Sequence, residues 1–151
     1  MFLKSKLSFE QASLADGDAL ATLRIEAMRE SLEHIGRFDP ARARDRFLSN
    51  FDPEFTQHII FDGQRVGFVV VRPQPNGLLL DHLYVRPSYQ NTGIGTALLA
   101  NVFARADAGD LSVRVGALKD SKSNSFYLRH GFTLVEQSEF DNYYLRVPVK
   151  H

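Results

Sequence analysis

The stretch Leu78–Leu99, LLLDHLYVRPSYQNTGIGTALL, joins an apolar strand, a proline that ends it, a glycine turn and the start of a helix. Within the turn, Gly93 and Gly95 carry no side chain, so a ligand can approach the backbone closely and a positive φ is allowed. The first N–H groups of the helix have no partners inside it and lie at the positive end of its dipole. The sequence therefore predicts an anion site at this turn, and a diphosphate suits it.

The glycine spacing alone leaves two interpretations open, a phosphate-binding turn and a simple bend of the chain. The dinucleotide fingerprint requires a third glycine, whereas Leu98 occupies that position, three residues after Gly95. The P-loop requires Gly-Lys followed by Ser or Thr, and this sequence has no such tripeptide. The neighbouring residues must therefore decide between the two interpretations.

Three segments, in the expected order and at the expected separations, resemble the GNAT acetyltransferase superfamily. Gln90-x-x-Gly93-x-Gly95 is similar to the loop with which that family binds the diphosphate of acyl-CoA. Leu83-Tyr84-Val85-x-Pro87 resembles the family's fourth strand and its exit, and Phe126-Tyr127-x-x-x-Gly131-Phe132 resembles a later helix-to-strand signature. The resemblance is strong from Leu78 to Phe132 and weaker before it.

The rest of the chain shows no repeat or linker and is predicted to form a single domain of residues 1–151. The predicted strands are Leu7–Glu10, Thr56–Phe61, Val66–Arg72, Leu78–Val85, Leu111–Leu118, Phe132–Glu136 and Asn142–Val147. The predicted helices run from Asp16 or Asp18 to His34, Pro40 to Ser49, Thr96 to Asp107 and Ser121 to His130. This order, without strict alternation, predicts an α/β (α+β) fold: a mixed central β-sheet of six to seven strands with helices on both faces. The resemblance implies the same GNAT-type domain, whose parallel fourth and fifth strands splay apart to admit acyl-CoA.

Composition excludes several classes of protein. The 151 residues are 44% hydrophobic, which suits one packed domain. Lys and Arg number 18, as do Asp and Glu, and a neutral chain argues against a general nucleic-acid binder. The absence of cysteine excludes disulfides, thiolate metal sites and a cysteine nucleophile, and it fits a cytoplasmic location. The N-terminus does not resemble a signal peptide, and no apolar run reaches the roughly 20 residues of a membrane helix.

The resemblance implies that the backbone holds acetyl-CoA, the co-substrate. It implies that the Val85 backbone pairs with pantetheine as a further strand would, and that the Leu83 amide donates to the thioester carbonyl, with Tyr84 between them. The structural alternative is that these three residues only form a buried strand, since any buried strand is rich in such residues. The amides implied to bind the diphosphate are those of Gln90, Asn91, Thr92, Gly93, Ile94, Gly95 and Thr96.

Two side chains are candidates for catalysis. Tyr127 occupies the family's tyrosine position, and with a pKa of about 10 it would stay protonated and give a proton to the leaving thiolate. Its alternative role is that of a core aromatic. Asp81 lies two residues before Leu83, so both share one face of the strand, where a carboxylate could bind or deprotonate the amine. Its alternative role is a strand charge in a salt bridge. His82 should point to the opposite face of the strand, where it is either packed or on the surface. At position 79, where many relatives of the family carry Glu or His, this sequence has Leu79.

Further candidates come from the resemblance. Asp120 stands where the family often has an asparagine that contacts pantetheine or nearby backbone, and aspartate keeps an acceptor but loses the amide donor. Ser123 falls at the small-residue position that lets the cofactor pass the helix. Asn124 could replace the missing amide or be a solvated helix residue. The resemblance implies an acceptor pocket near the junction of the first two helices. The alternative is that this segment is only a solvated helix end. The candidate substrate-binding residues are Met28, Arg29, His34 and Phe38.

These features predict an N-acyltransferase that moves an acetyl group from acetyl-CoA to a primary amine in a ternary complex. The expected partner is a small-molecule amine or a peptide amine, with no nucleic acid and no membrane, and a terminal strand edge suggests a homodimer. The histidines are scattered singly, so no metal is expected. Two alternatives stay open. One is a non-catalytic acyl-CoA-binding regulatory module of the same fold, favoured by Leu79 and Asp120, and the other is a nucleotide-binding enzyme that uses the same loop.

Overall fold

The computed structural model describes residues 6–150, which form a seven-stranded mixed β-sheet and four α-helices. The strands are β1 (Leu7–Gln11), β2 (Thr56–Phe61), β3 (Gln64–Gln74), β4 (Gly77–Val85), β5 (Ser112–Leu118), β6 (Thr133–Gln137) and β7 (Asp141–Arg146). The helices are α1 (Gly17–His34), α2 (Pro40–Asn50), α3 (Ile94–Ala108) and α4 (Ser123–Arg129). The predicted mixed α/β fold is confirmed.

The strand order in the sheet is β1-β2-β3-β4-β5-β7-β6. β2 pairs antiparallel with β1 and β3, and β7 pairs antiparallel with β5 and β6. β4 and β5 are parallel, and their pairing runs from Gly77 opposite Ser112 to Leu80 opposite Val115. The parallel fourth and fifth strands that the resemblance implied are therefore present.

The chain divides into two compact units. One contains the chain up to Val70 together with His82–Thr92, and the other contains Val71–Asp81 and the chain from Gly93 onward. β3 and β4 each contribute residues to both units. The single domain of residues 1–151 stays a prediction.

In the first unit, α1 packs against α2 beside an apolar core. The start of α2 is as predicted, because a carboxylate oxygen of Asp39 accepts a hydrogen bond from the Arg42 N–H at 3.1 Å and Pro40 is the first helical residue. Phe47 is the buried residue of α2, and its ring meets the edge of the Phe68 ring with centres 5.9 Å apart. The buried members of this core are Ala12, Leu20, Ala21, Phe47, Phe68 and Val70.

A glycine inside β3 lets the backbone of β4 lie close to it. A Cβ at Gly67 would stand 2.0 Å from the carbonyl oxygen of Tyr84, so another residue fits only if the β4 backbone moves. No local pattern distinguishes Gly67, because the strand that it accommodates lies far along the chain. Gly67 therefore sets the position of Leu83–Val85, the segment of β4 implied to hold the thioester.

The start of α1 is tied to β2 by a largely buried hydrogen bond between His58 and Asp16. Nε2 of His58 donates to a carboxylate oxygen of Asp16 at 2.9 Å, and the two side chains are 5% and 21% exposed. The same oxygen accepts from the Ser13 N–H at 2.8 Å. These hydrogen bonds lower the pKa of Asp16 to about 2, and the bond from the Ser13 backbone has a larger effect than the bond from His58. Asp16 is the N-cap residue of α1, but its carboxylate makes no cap hydrogen bond.

We expect Asp16→Asn to lower the free energy of unfolding at pH 7 by about 1 kcal/mol. A carboxyl with a lower pKa in the folded protein stabilises the fold above pH 4, and this contribution is lost as pH falls through 2. The full shift corresponds to about 2 kcal/mol, which we halve because Asp16 is partly exposed. Urea unfolding of both proteins, with the exposed Asp45→Asn as a control, measures the effect. The difference should shrink from pH 7 to pH 3, and a constant difference would contradict the assignment.

In the second unit, α3 and α4 contact β5, whose alternate residues Val113, Val115 and Ala117 are buried. The guanidinium of Arg146 in β7 donates to both carboxylate oxygens of Asp107 at 2.8 and 3.1 Å. Because these side chains are only 11% and 7% exposed, the pair fixes the end of α3 to β7.

Candidate active site

Asp81 lies on β4 in the second unit. Its neighbour Leu80 is buried, whereas the Asp81 side chain is 31% exposed. Oδ2 of Asp81 accepts a hydrogen bond from Nε of Arg72 in β3 at 2.9 Å. This ion pair matches the structural alternative for Asp81, and a role in catalysis stays a prediction.

His82 packs among aromatic rings in the first unit, which is one of the two places that the sequence allowed. The centre of its ring lies 5.4 Å from that of Phe47 and 6.2 Å from that of Phe68. Nε of Arg24 in α1 donates to Nδ1 of His82 at 2.9 Å. Because arginine has donors only, this Nδ1 carries no proton. The side chain of His82 therefore belongs to the core that supports β4.

The side chain of Tyr84 is part of the same core. Its ring centre lies 6.3 Å from that of Phe68, and burial raises the pKa of the Tyr84 phenol. Leu83 and Val85 on either side are also half-buried. What this segment can offer a ligand is therefore its backbone rather than the phenol.

The segment that follows β4 is held by its own polar side chains. The chain leaves β4 through a short 3-10 turn at Pro87–Tyr89. Nε2 of Gln90 donates to the carbonyl of Val85 at 2.8 Å, and the hydroxyl of Thr92 donates to the carbonyl of Tyr89 in a short hydrogen bond. These side chains are used within the segment, and the Gln90 N–H donates to the carbonyl oxygen of Pro87 at 3.2 Å. The backbone N–H groups that the segment can offer to an anion therefore begin at Asn91.

Gly93 begins α3 in the left-handed conformation, with φ of +90° and ψ of 0°. Glycine adopts this conformation without the strain that a Cβ would bring. As the N-cap residue it supplies no side-chain acceptor, so the N–H groups of the first turn are not capped from this position. The predicted turn therefore has the backbone geometry of an anion site, and its helix begins at Ile94, two residues before the predicted start.

Gly95 and Thr96, in the first turn of α3, lie against α4. A Cβ at Gly95 would stand 3.1 Å from Cζ of Phe126, so this glycine serves packing between two helices. Oγ1 of Thr96 lies 3.0 Å from Nε2 of His130, and Nδ1 of His130 lies 2.8 Å from the carbonyl oxygen of Phe126. Sequence reasoning did not single out His130, because no local signal links residues 34 positions apart.

Tyr127 has a buried ring and an open hydroxyl. Its ring centre lies 5.5 Å from that of Phe126, 5.4 Å from that of Phe132 and 6.2 Å from that of Tyr144. Burial raises the pKa of Tyr127 to about 12. Every fully buried side-chain oxygen and nitrogen in residues 6–150 has a hydrogen-bond partner, whereas the Tyr127 hydroxyl has none among them. This oxygen therefore keeps contact with solvent, where a ligand atom could meet it.

Asp120 and Ser123 lie at the exit of β5. Asp120 is exposed and has φ of +71°, a left-handed conformation that Asp and Asn adopt more readily than most residues. The turn thus accounts for this residue type without a ligand. Ser123 is exposed at the first position of α4. Contact of either residue with pantetheine stays a prediction.

Asn124 ties three elements of the second unit together. Its Nδ2 donates to the carbonyl oxygens of Leu118 and Ser121, both at 2.9 Å. Its Oδ1 accepts from Nδ2 of Asn142 at 2.9 Å and from the hydroxyl of Tyr144 at 2.7 Å. Because both ends of the amide are used, Asn124 is not a solvated helix residue. Its Nδ2 contacts nearby backbone, which is one of the two roles implied for the missing family amide, and contact with pantetheine stays a prediction.

The predicted acceptor-binding residues lie at the end of α1 and beyond it. The guanidinium of Arg29 lies 4.7 Å from the ring centre of Phe38 and pairs with Glu26 at 3.1 Å. Met28 is half-buried and His34 is exposed. A pocket of about 390 Å³ on α1 and α2 contains Arg29 and Glu26 but not Met28, His34 or Phe38. Its lining also includes Ile25, Pro40 and Arg44.

Residues 6–150 hold no cluster of three or more His, Cys, Asp or Glu side chains suited to binding a metal ion. No helix in this part of the chain combines the length and the apolar character needed to cross a membrane.

Comparison with known sequences identifies the region around the glycine turn. A family model for the GNAT acetyltransferase domain matches residues 54–134, just over half of the chain. An uncharacterized N-acetyltransferase of Mycobacterium tuberculosis is 31% identical over 108 residues, which cover 68% of this chain and 69% of that protein. An uncharacterized N-acetyltransferase of Mycobacterium bovis matches to the same extent.

Solved structures share the fold at low sequence identity. The PaiA N-acetyltransferase of Thermoplasma acidophilum, in complex with coenzyme A, has a TM-score of 0.74 at 18% identity and covers 93% of this chain and 98% of its own. Apo YjaB of Escherichia coli has a TM-score of 0.73 at 18% identity, covering 95% and 99%. A GNAT family acetyltransferase of Elizabethkingia anophelis with acetyl-CoA bound has a TM-score of 0.54 at 17% identity, covering 61% and 74%. Since the family match spans both β4 with its glycine turn and the Phe126-Tyr127 helix, the chain belongs to the GNAT acetyltransferase family.

Proposed function

We propose that this protein transfers an acetyl group from acetyl-CoA directly to the nitrogen of a primary amine. One observation carries the proposal: α3 begins at a left-handed glycine in a turn without a side-chain cap, inside the region that matches the family model. Direct transfer in a ternary complex is supported by the composition, because the chain has no cysteine to carry the acetyl group.

The backbone amides from Asn91 to Thr96 bind the diphosphate of acetyl-CoA, whereas the predicted Gln90 N–H is used by the carbonyl oxygen of Pro87. Asn91 and Gly93 have positive φ values of +63° and +90°, and left-handed residues within a turn direct successive N–H groups to one side. The dipole of α3 adds partial positive charge at the same end. These features support an anion site made by the main chain rather than by lysine side chains.

The backbone of β4 aligns the thioester for attack. The Leu83 N–H donates to the thioester carbonyl and stabilises the negative charge that develops on its oxygen. The Val85 backbone pairs with the pantetheine arm, since a carbonyl oxygen that accepts from Gln90 still has a second lone pair. The close approach at Gly67 and the anchored ring of Tyr84 support this segment and favour a fixed geometry.

Tyr127 stabilises the departing sulfur. The amine nitrogen attacks the thioester carbon, the carbon–sulfur bond breaks, and the proton lost by nitrogen balances the one gained by the thiol of CoA. A phenol with a pKa of about 12 is protonated at neutral pH and is a weak acid. The main contribution of Tyr127 is therefore a hydrogen bond to the sulfur as negative charge develops there. A buried ring whose hydroxyl has no hydrogen-bond partner among residues 6–150 supports that role.

Asp81 attracts the ammonium form of the acceptor and takes its proton, directly or through water. Its ion pair with Arg72 orients the carboxylate, and strand geometry puts it on the same face as Leu83. The acceptor is a small-molecule amine or a peptide amine. Arg29, Phe38, Met28 and His34 are our candidates for contacting its remaining part.

We expect Asp81→Asn to lower kcat/KM for the amine about tenfold, with a smaller effect at saturating amine. Asparagine keeps the shape and an acceptor for Arg72 but loses the charge that attracts an ammonium. Initial rates measured against amine concentration test this, with Arg72→Gln as the control that breaks the ion pair from its other side. If both variants lose stability equally and keep wild-type kinetics, Asp81 is only the partner of Arg72.

A second candidate function is an acyl-CoA-binding regulatory module without catalysis. The ion pair between Asp81 and Arg72 favours it, because it gives the carboxylate a structural task.

The cytoplasmic location and a homodimer paired through β6, at the end of the sheet, are likewise proposals.

Calorimetry with CoA and acetyl-CoA, followed by thiol release across a panel of amines, tests the function. Binding together with amine-dependent release of CoA would support acetyl transfer. Binding without turnover of any amine would favour the regulatory module. Tighter binding of ATP or NAD than of acetyl-CoA would contradict both.

A further inference from the structure

We propose that His130 is a positioning residue for the diphosphate-binding turn and acts through Thr96. The inference rests on the proposed acetyl-CoA function and extends it to a side chain that none of the motifs described above specifies, since His130 is an unspecified position of the Phe126–Phe132 segment. His130 follows the last residue of α4, and both nitrogens of its ring are engaged. Nδ1 lies 2.8 Å from the carbonyl oxygen of Phe126, and Nε2 lies 3.0 Å from Oγ1 of Thr96.

The two contacts determine where the protons lie. A carbonyl oxygen only accepts, so Nδ1 of His130 carries a proton and donates it to Phe126. In the neutral ring, Nε2 is then an acceptor, and the hydroxyl of Thr96 donates to it. α4 thus fixes the tautomer of His130, and His130 in turn fixes the direction of the Thr96 hydroxyl.

This direction matters because Thr96 is the third residue of α3. Threonine side chains near the start of a helix readily bond to backbone groups of the same turn, and would then compete with an anion for its N–H groups. A Thr96 hydroxyl committed to His130 is held toward α4 instead. The first-turn N–H groups are therefore left for the diphosphate.

Phe126 adds a second contact between the same two helices. Its ring lies under Gly95, next to Thr96, and its centre is 4.6 Å from that of the His130 ring. Phe126 and His130 are four residues apart, which places them on one face at the end of α4. Two successive residues of the turn thus contact two adjacent rings, which are tilted by 47° to each other, and these contacts restrain the turn in one geometry.

Calorimetric titration with CoA, which needs no acceptor amine, tests the proposal. We expect His130→Leu and Thr96→Val each to weaken CoA binding about threefold to tenfold, the usual effect of one neutral hydrogen bond. The double variant should bind no more weakly than either single variant, because both remove the same contact. His130→Gln should restore most of the affinity, since its amide supplies a donor and an acceptor.

Two controls keep the test specific. Thr133→Val removes an exposed threonine hydroxyl from β6 and should leave CoA binding unchanged. Dephospho-CoA keeps the diphosphate but lacks the ribose 3′-phosphate, so the variants should weaken its binding by the same factor as that of CoA. Thr96 is exposed, so Thr96→Val tests the contact even where His130→Leu does not fold.

The outcomes separate this proposal from the one on which it rests. Wild-type affinity in both single variants would overturn the role of His130 alone. So would an effect that vanishes with dephospho-CoA, because it would assign His130 to the 3′-phosphate. A wild-type protein that does not bind CoA would overturn the proposed function and this inference with it.

Discussion

Replacing Tyr127 with phenylalanine should lower kcat for acetyl transfer about 100-fold, the effect of removing one positioned proton donor. The substitution removes only a hydroxyl that has no hydrogen-bond partner within residues 6–150, and the ring keeps its contacts with Phe126, Phe132 and Tyr144. The affinity for CoA and the free energy of unfolding should therefore change little. Steady-state kinetics, calorimetry and urea unfolding on one preparation measure all three quantities.

Tyr144→Phe is the matched control for this experiment. The hydroxyl of Tyr144 donates to Asn124 at 2.7 Å and is buried, so its loss should cost about 1 kcal/mol of stability. It should leave kcat near the wild-type value. The opposite pattern, with normal kcat in Tyr127→Phe, would make Tyr127 a core aromatic only.

The pH dependence gives an independent check on Tyr127. An exposed tyrosine loses its proton near pH 10, whereas burial raises the pKa of Tyr127 to about 12. The ratio of kcat between wild type and Tyr127→Phe should therefore stay constant through pH 10, because the donor is intact throughout. The raised pKa of Tyr127 also affects the free energy of unfolding. Its contribution to the stability of the folded protein is complete below pH 10 and is lost as pH rises through 12. A ratio that falls to one by pH 9 would contradict the assignment.

Replacing Gly93 with valine should weaken CoA binding about 100-fold, because a β-branched residue resists the left-handed conformation and its side chain obstructs close approach to the turn. The N–H groups of the first turn would lose their common direction when φ relaxes from +90°. Calorimetric titration of CoA into the folded variant measures the loss. Unchanged affinity would remove the turn from the proposed mechanism.

Gly63→Val separates backbone strain from loss of the site. Gly63 lies in the turn between β2 and β3, has φ of +80°, and a Cβ there would meet no atom within 4 Å. It should cost stability comparable to that lost in Gly93→Val while CoA binding stays at the wild-type level. Equal losses of affinity in both variants would indicate a general effect of destabilisation.

The elements could be predicted from the sequence where their signals are local. Asp39 and Pro40 mark the start of α2, and the turn between β2 and β3 lies at Asp62 and Gly63, which both have positive φ. The turn at Gly93 is likewise encoded in consecutive residues, so its left-handed glycine could be expected from the sequence alone. His82 packs near Phe47 and Phe68, one of the two places that alternation along β4 allowed for it.

The contacts that define the candidate site could not be predicted, because they join side chains on different elements of the fold. Arg72 in β3 pairs with Asp81 in β4, nine positions later, and Thr96 in α3 contacts His130, 34 positions later, after the end of α4. No periodicity or spacing encodes either pair. Gly95 was expected to make room for a ligand, yet the atom closest to a Cβ there belongs to Phe126.

Departures from the family pattern were the least informative guide. Asp120 suggested a missing amide donor, whereas its left-handed backbone explains why a short polar residue stands there. Asn124 suggested a substitute for that donor, and its Nδ2 does donate to nearby backbone, at Leu118 and Ser121. A residue type that serves backbone conformation is indistinguishable in the sequence from one that serves a ligand.

The close approach of the β4 backbone to Gly67 affects how a deep mutational scan of this protein should be interpreted. Every substitution there pushes on the carbonyl of Tyr84 and so displaces the segment that carries Leu83. In a selection for growth, position 67 would tolerate as few replacements as a true catalytic position. Intolerance at this position would report the distance between two neighbouring backbones, since a glycine has no side chain that could take part in chemistry.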